Sequence, residues 1–299
     1  MPQPWDPEHV VDRALARELI EQQFPEQSAA QVEPFGVGFD NTAFLVNDAM
    51  VFRFPRRAVA VECIEAETRL LPAIAPRLPV AVPVPTFRGE PGLGFPWPWA
   101  GYERLAGTTA CVADLGGDEL VALATPLGRF LRALHDTPLE GLDAPGDTIA
   151  RADLERRKEP ARRALAVLAE RCVIADAAPW SSLVDAPTPA PSGEVRLLHG
   201  DLYARHVLVD DAKELAGVID WGDVHAGDPA VDIAVAFGLL PARARDRFLD
   251  AYGAVDEVTW TRARQRALLH LIPGALYASE VGDTPLLRAI RRALDRVLE

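Results

Sequence analysis

Three side chains in one stretch of this chain are suited to moving a phosphoryl group: Asp201, His206 and Asp220. Asp201 closes the turn His199-Gly200-Asp201, which follows the apolar residues Val195, Leu197 and Leu198. His206 lies five residues further on and opens a second apolar run, Val207-Leu208-Val209. A polar turn, Asp210-Asp211-Ala212-Lys213, leads to Val218-Ile219 and then to Asp220. Short apolar runs separated by turn residues predict strands. Two acids therefore stand at strand ends with an imidazole between them. Phosphoryl transfer needs such a set: one carboxylate to accept the proton of the attacking hydroxyl, a second to hold magnesium, and a further metal ligand on the loop. The alternative is an ordinary β-hairpin with solvated acids at its ends. The full order of acid, loop ligand, hairpin and second acid is far more specific than any tripeptide within it.

HGDLYARHVLVD, followed by GVIDWGD and GDPAVDIA, resembles the aminoglycoside phosphotransferase family, which has the protein-kinase-like fold. The resemblance implies that Asp201 is the catalytic base and that His206 and Asp220 are magnesium ligands. The family usually has Asn where this chain has His206. A neutral imidazole binds metals, but hard magnesium prefers oxygen. The macrolide-phosphorylating branch of the family carries His at this place, which widens the substrate question beyond aminoglycosides.

Such a site needs a scaffold to deliver nucleotide phosphates, and the first third of the chain reads as one. Residues 7–24 have helical apolar spacing, with Pro7 near the start. Two apolar strands over 32–46 flank Gly36-Val37-Gly38-Phe39-Asp40-Asn41. Glycines let backbone amides approach a phosphate; by itself the pattern reads more readily as a simple hairpin turn. Its place near the start of the chain is where the kinase-like fold puts its nucleotide-covering loop, so Gly36 and Gly38 become phosphate-binding candidates. On the next strand, 50–55, the resemblance places Arg53 where the family has a phosphate-binding Lys. Arg keeps the charge but is bulkier, and an exposed strand residue is the alternative. Arg56 and Arg57 read as a solvated turn. The helix over 60–74 carries Glu67, which the resemblance pairs with Arg53; Glu62 and Glu65 compete for that role. Prolines over 75–99 predict loops and edge strands, with Trp97, Trp99 and Tyr102 as packing aromatics. The strand over 100–105 corresponds to the hinge, so Glu103, Arg104 and Leu105 are candidates to bind the nucleotide base.

The rest of the chain reads as mostly helical. Helices are expected over 118–135, ending at a structural His135, and over 153–172, with a face made of Arg151, Arg156, Arg157, Arg162 and Arg163. A loop is expected over 176–193. Asp228 with Pro229 fits a helix start, and the Asp228–Asp232 segment supports the catalytic loop by resemblance. Further helices are expected over 241–252, 259–271 and 286–298. Glu280 and Asp283 fall in a break between two of these and could meet a cationic substrate.

Composition bounds the function. The chain has 299 residues, 49% hydrophobic and 25% charged, with a formal charge of -13. No basic stripe is visible, which argues against nucleic acid. Cys63, Cys111 and Cys172 are scattered and form no CxxC, so reduced thiols are expected. No opening signal segment and no long apolar run are seen, so the expectation is a cytoplasmic protein without a membrane span. The expected fold is α+β, protein-kinase-like and two-lobed, with a nucleotide-binding lobe over 1–105 and a catalytic, substrate-binding lobe over 106–299. The expected reaction moves the γ-phosphate of ATP or GTP, with Mg2+, to a hydroxyl of a small molecule. That acceptor is an antibiotic of the aminoglycoside or macrolide kind. The alternatives are a metabolic small alcohol or sugar as acceptor, or an inactive nucleotide-binding pseudokinase. A monomer is the expected state.

Overall fold

Alternation of apolar and polar residues drives the first part of the chain into strands, and the computed structural model shows them as an antiparallel sheet. The structure describes residues 6–28 and 31–299. The chain divides into two compact units. One takes the described residues up to Pro76, with Val82–Leu105 and Asp220–Val224; the other takes Arg77–Ala81, Ala106–Ile219 and His225–Glu299.

In the first unit, α1 (Arg13–Gln23) precedes β1 (Val32–Val37), β2 (Asn41–Val46), β3 (Met50–Pro55), α2 (Val59–Ile74), β4 (Pro85–Gly89) and β5 (Trp99–Glu103). The strands lie in the order β1-β2-β3-β5-β4, so proline-bearing β4 occupies an edge, where a missing N–H costs least. Phe44, Phe52, Phe54, Phe95 and Trp99 form the core with Leu19 and Ile20 of α1. Gly101 is required there, because a Cβ at that position would lie 2.3 Å from Phe52 Cε1. Helix α1 starts later than the periodicity suggests. Asp12 caps it by accepting from Leu15 N at 2.8 Å, while the Glu8 and His9 amides are spent on the Arg56 carbonyl. Pro7 therefore lies outside the helix.

The second unit opens with β6 (Thr108–Thr109), α3 (Ala110–Ala113), α4 (Gly117–Ala122) and α5 (Ala124–His135). The single helix expected over 118–135 is thus two. Pro126 lacks the N–H that would bond the Ala122 carbonyl, and the helix breaks at that turn. Then come α6 (Leu154–Glu170), α7 (Ala178–Asp185), β7 (Arg196–Leu198), β8 (Val207–Val209), β9 (Leu215–Val218), β10 (His225–Gly227), α8 (Ala230–Ile233), α9 (Val235–Gly238), α10 (Ala242–Tyr252), α11 (Glu257–Val281) and α12 (Thr284–Leu298). Helix α7 replaces part of the expected loop, anchored by Trp180, whose indole donates to the Leu294 carbonyl at 2.9 Å. Helix α11 passes through Pro273, beyond its expected end at 271. Ala263, Ala267, Leu271, Ala275 and Ala278 keep one buried face continuous on both sides of that proline. Two small ladders, β10-β7 and β6-β8-β9, position the stretch that carries Asp201 and His206. No helix among the described residues is long and apolar enough to cross a membrane.

Candidate active site

The catalytic stretch is held by its own backbone. Strand β7 delivers His199 and Gly200, whose amides donate to Asp232 at 2.7 and 2.9 Å. Asp232 is fully buried at the start of α8 and also meets His135 Nε2 at 3.3 Å, while His135 Nδ1 bonds the Tyr252 hydroxyl at 2.8 Å. Burial alone would raise the Asp232 carboxyl; the His135 bond, the electrostatic influence of the two nearby imidazoles and the Gly200 amide outweigh it and lower it. His199 is itself buried: its Nδ1 accepts from the Asp201 amide at 3.2 Å, which leaves Nε2 to donate to the Ile219 carbonyl at 3.0 Å. The start of the loop between β7 and β8 is thereby tied down.

Asp201 is presented by this loop with its carboxylate bracketed by two imidazoles. His206 Nδ1 lies 3.5 Å from Oδ2 and His270 Nε2 lies 3.5 Å from Oδ1. His206 Nδ1 donates to the Asp201 backbone carbonyl at 2.7 Å, which assigns the ring lone pair to Nε2. Tyr203 packs edge-on against both rings, at 4.7 Å from His206 and 4.9 Å from His270. Burial, then Arg266, Arg157, His206 and Arg151, push His270 well below its ordinary value. Asp201, Tyr203, Arg266 and His270 line a narrow cavity floored by apolar residues of α8, α9 and α11.

In the first unit, Arg53 stands on β3 between Ala43 on β2 and Ala100 on β5, two small neighbours that leave its long side chain room. Its Nη1 donates to both Glu67 oxygens, at 3.0 and 2.9 Å, and its Nη2 to Asp220 Oδ1 at 2.6 Å. The guanidinium lies 6.0 Å from the ring centre of buried Tyr102. Burial opposes the Arg53 charge, but Glu67 and Asp220 overcome it and raise its pKa. Burial raises the Glu67 carboxyl, with Arg53 pulling it back. Glu67 takes the place of an apolar residue on the buried α2 face formed by Ala60, Ile64, Leu71 and Ile74, whereas Glu62 and Glu65 are exposed.

Gly36 and Gly38 lie at the β1–β2 turn, where a Cβ at Gly36 would meet nothing within 4 Å and one at Gly38 only the Asn41 carbonyl at 3.6 Å. Neither glycine is demanded by packing. The turn is not loose. Arg56, expected to be solvated, donates to the Gly38 carbonyl at 2.7 Å, and Arg57 pairs with Asp40 and stacks on Phe39. Arg57 folds back because Asp40 needs a partner: burial raises its carboxyl, partly offset by Arg57. Of the hinge candidates, Arg104 spends its amide on the Ala49 carbonyl at 2.8 Å, Glu103 ends β5 opposite Met50, and Leu105 follows.

Magnesium suits part of this donor set. Asp220 offers a carboxylate that is 46% exposed, on a backbone with φ of 65°. Such a non-glycine left-handed residue is strained and concentrates at functional sites. His206 offers only Nε2, a softer donor than magnesium favours. No cluster of three or more ligating side chains exists among the described residues. Magnesium held by a carboxylate, waters and nucleotide phosphates requires none.

Sequence reasoning did not find His270, Arg266 or the neighbourhood of Tyr102 to Arg53. A signal for the first two exists: Arg266 and His270 are four apart inside the apolar run of α11, hence on one face. Asp283 is less a substrate contact than a cap: Oδ1 accepts from Leu286 N at 3.0 Å and Oδ2 pairs with Arg205 at 2.6 Å. Glu280 pairs with Arg171 at 3.1 Å.

Residues 31–268 match the model of the phosphotransferase enzyme family. A 90-residue stretch is 34% identical to viomycin phosphotransferase of Streptomyces vinaceus, covering 29% of this chain and 31% of that protein. The matched stretches thus span under a third of the curated relatives, 28% and 31%. Among solved structures, the GDP complex of aminoglycoside 2'-phosphotransferase-IIIa superposes with a TM-score of 0.69 at 23% identity, over 96% of this chain and 99% of that one. Macrolide 2'-phosphotransferase type I does so with a TM-score of 0.62 at 25% identity, over 96% and 98%. The fold is therefore the kinase-like α+β fold expected from the sequence. With the family model spanning most of the chain, from the glycine turn through the Asp201 loop and into α11, the protein belongs to the phosphotransferase enzyme family.

Proposed function

We propose that the protein transfers the γ-phosphate of a nucleoside triphosphate, ATP or GTP, to a hydroxyl of a small molecule. The observation that carries this reading is the presentation of Asp201: a partly exposed carboxylate on a loop locked by Asp232 and by His199. Asp201 accepts the proton of the acceptor hydroxyl as that oxygen bonds to the γ-phosphorus and the bond from phosphorus to the β,γ-bridging oxygen breaks. The nucleoside diphosphate leaves. Arg53, oriented by Glu67, holds phosphate oxygens, and the amides of the Gly36–Gly38 turn assist. The backbone of Glu103 and Leu105 serves the base. Magnesium, when bound, would be held by Asp220, with His206 as second ligand by resemblance, and would neutralise charge on the phosphates. Positioning and fixed charge supply the rate, since little covalent chemistry falls to the protein.

The intact Arg53–Glu67 pair supports an active enzyme over a pseudokinase, because a phosphate cradle needs a cation held in position by a buried anion. Aminoglycoside or macrolide antibiotics are the acceptors for which the similar phosphotransferases are named; a metabolic alcohol or sugar is the alternative. A cytoplasmic monomer suits the nucleotide supply and the thiols of Cys63, Cys111 and Cys172, which form no disulfide with one another. The test is acceptor-dependent nucleotide consumption by wild type and by Asp201→Ala. Phosphorylated product from wild type, with none from the variant while nucleotide still binds, is the expected result. Equal turnover by the two proteins would remove Asp201 as base.

A further inference from the structure

Holding a nucleotide's phosphates asks more of the glycine turn than freedom from side chains: its peptides have to keep one orientation. Resting on the phosphotransfer reading, we infer that Arg56 and Arg57 are positioning residues for those phosphates. They hold the glycine turn in one shape, and Arg57 offsets the negative charge that Asp40 brings to it.

Packing does little for this turn. Phe35, Val37 and Phe39 are all exposed, and a Cβ at Gly36 would touch nothing within 4 Å. Polar contacts from the connection between β3 and α2 take over. The Arg56 amide donates to the Asp40 carbonyl at 2.8 Å, and Arg56 Nη1 donates to the Gly38 carbonyl at 2.7 Å. Arg57 pairs with Asp40 and lies over Phe39, 4.5 Å from the ring centre. Two consecutive arginines thus grip three consecutive residues, Gly38, Phe39 and Asp40. The Gly38 amide closes the hairpin on the Asn41 carbonyl at 2.9 Å. The peptide from Gly38 to Phe39 is trans, so its N–H points opposite to its carbonyl. By holding that carbonyl, Arg56 also aims the Phe39 N–H.

The arginines are themselves anchored. The Arg56 carbonyl accepts from the Glu8 and His9 amides at 2.8 and 3.2 Å, and Glu8 Oε2 accepts from the Ala58 amide at 3.2 Å. His9 packs edge-on against Trp97, with ring centres 4.7 Å apart. Asp40 explains why a second arginine is needed. A carboxylate in a turn that receives phosphates sets like charge beside like charge, and Asp220 and Asp223 already act on Asp40. Arg57 supplies the opposite charge, from a side chain only 17% exposed, and the stack on Phe39 keeps its guanidinium against the turn.

The test is calorimetric binding, with Mg2+, of the β,γ-imido analogues of ATP and GTP, beside adenosine and guanosine, which lack the phosphates. For whichever base wild type accepts, Arg57→Ala is expected to weaken the triphosphate analogue about ten-fold and the nucleoside by less than about two-fold. Arg57→Gln, the gentler change should the first fail to fold, is expected to show the same selectivity. Arg56→Ala, which releases the Gly38 carbonyl, is expected to weaken the triphosphate about five-fold, the scale of one hydrogen bond. Asp40→Asn added to Arg57→Ala is expected to restore part of the triphosphate affinity, since the charge to be offset is gone. Wild-type triphosphate affinity in folded Arg56 and Arg57 variants overturns the inference. Equal weakening of triphosphate and nucleoside also overturns it, because that marks general damage to the sheet. A double variant weaker than Arg57→Ala alone overturns the charge-offsetting role. Failure of the phosphotransfer reading has different signatures: a wild type that binds no triphosphate, or Asp201→Ala turning over an acceptor as fast as wild type.

Discussion

The two charged clusters of this protein are built on opposite plans. The Arg53–Glu67–Asp220 cluster of the first unit is a set of direct ion pairs at 2.6 to 3.0 Å. Its anions come from a helix and from a distant strand end, and side chain meets side chain. The Asp201 cluster of the second unit is held through backbone: the His199 and Gly200 amides on Asp232, the Asp201 carbonyl on His206 and the Ile219 carbonyl on His199. Its carboxylate then meets imidazoles only at 3.5 Å, beyond a normal hydrogen bond. The difference suits the roles proposed for each. A phosphate cradle needs a cation fixed in place. A base needs a fixed position with lone pairs left for a proton.

Breaking the second plan at its centre has the largest effect. Asp201→Ala is expected to lower kcat by about 1,000-fold, the span of a general base, with nucleotide affinity retained. Breaking the first plan shows in stability. Glu67→Gln leaves the buried Arg53 with one anion in place of two and is expected to cost about 3 kcal/mol, read as a lower denaturant midpoint at unchanged slope. A loss in activity with no loss in stability would mean that Glu67 orients Arg53 without holding the sheet and helix together.

The contrast also explains what the sequence discloses. The Asp201 stretch is legible because its partners are close in the chain: His206 returns to the Asp201 carbonyl across one short loop, and β8 and β9 follow directly. Glu67 is partly legible, since it falls on the apolar face of α2 where a charge demands a partner. His270 and Arg266 are not, because only the packing of α11 brings them to Asp201. Helix ends failed where side chains or proline overrule periodicity. Asp12 starts α1 late, Pro126 divides α4 from α5, and a continuous buried face carries α11 past Pro273. Arg56 and Arg57 look like solvated turn residues until Asp40 and the Gly38 carbonyl supply reasons to fold back.

Two substitutions sharpen the comparison within the second unit. Asp232 has its carboxyl lowered in the folded protein, so its contribution is present above the ordinary value of 3.8 and is lost as pH falls below it. Asp232→Asn is expected to cost about 2 kcal/mol at neutral pH and to flatten that acid limb in unfolding measured against pH. A limb as steep as wild type's would place the acid sensitivity elsewhere. His270 is a positioning residue at Asp201 Oδ1. His270→Ala is expected to lower kcat by about ten-fold, or about 1.4 kcal/mol of lost placement of the Asp201 carboxylate, with the nucleotide KM unchanged. His270→Asn, which keeps a donor, should recover part of that loss. A drop in KM for nucleotide alone would argue against the positioning role.

The smallest effect tests where the acceptor-binding region ends. Asp283 looks from its sequence position like a residue to meet a cation, but its two oxygens are engaged: one caps α12 and the other pairs with Arg205. Asp283→Asn keeps the cap oxygen and removes only the charge, a change worth about 0.5 kcal/mol for a partly exposed pair. Asp283→Ala removes the cap as well and is expected to cost about 1 kcal/mol more. Thermal unfolding of the two variants separates these contributions. Acceptor KM should then stay within about two-fold of wild type in the Asn variant, since half a kcal/mol supports no more. A ten-fold rise in KM confined to a cationic acceptor would move Asp283 from capping a helix to binding substrate.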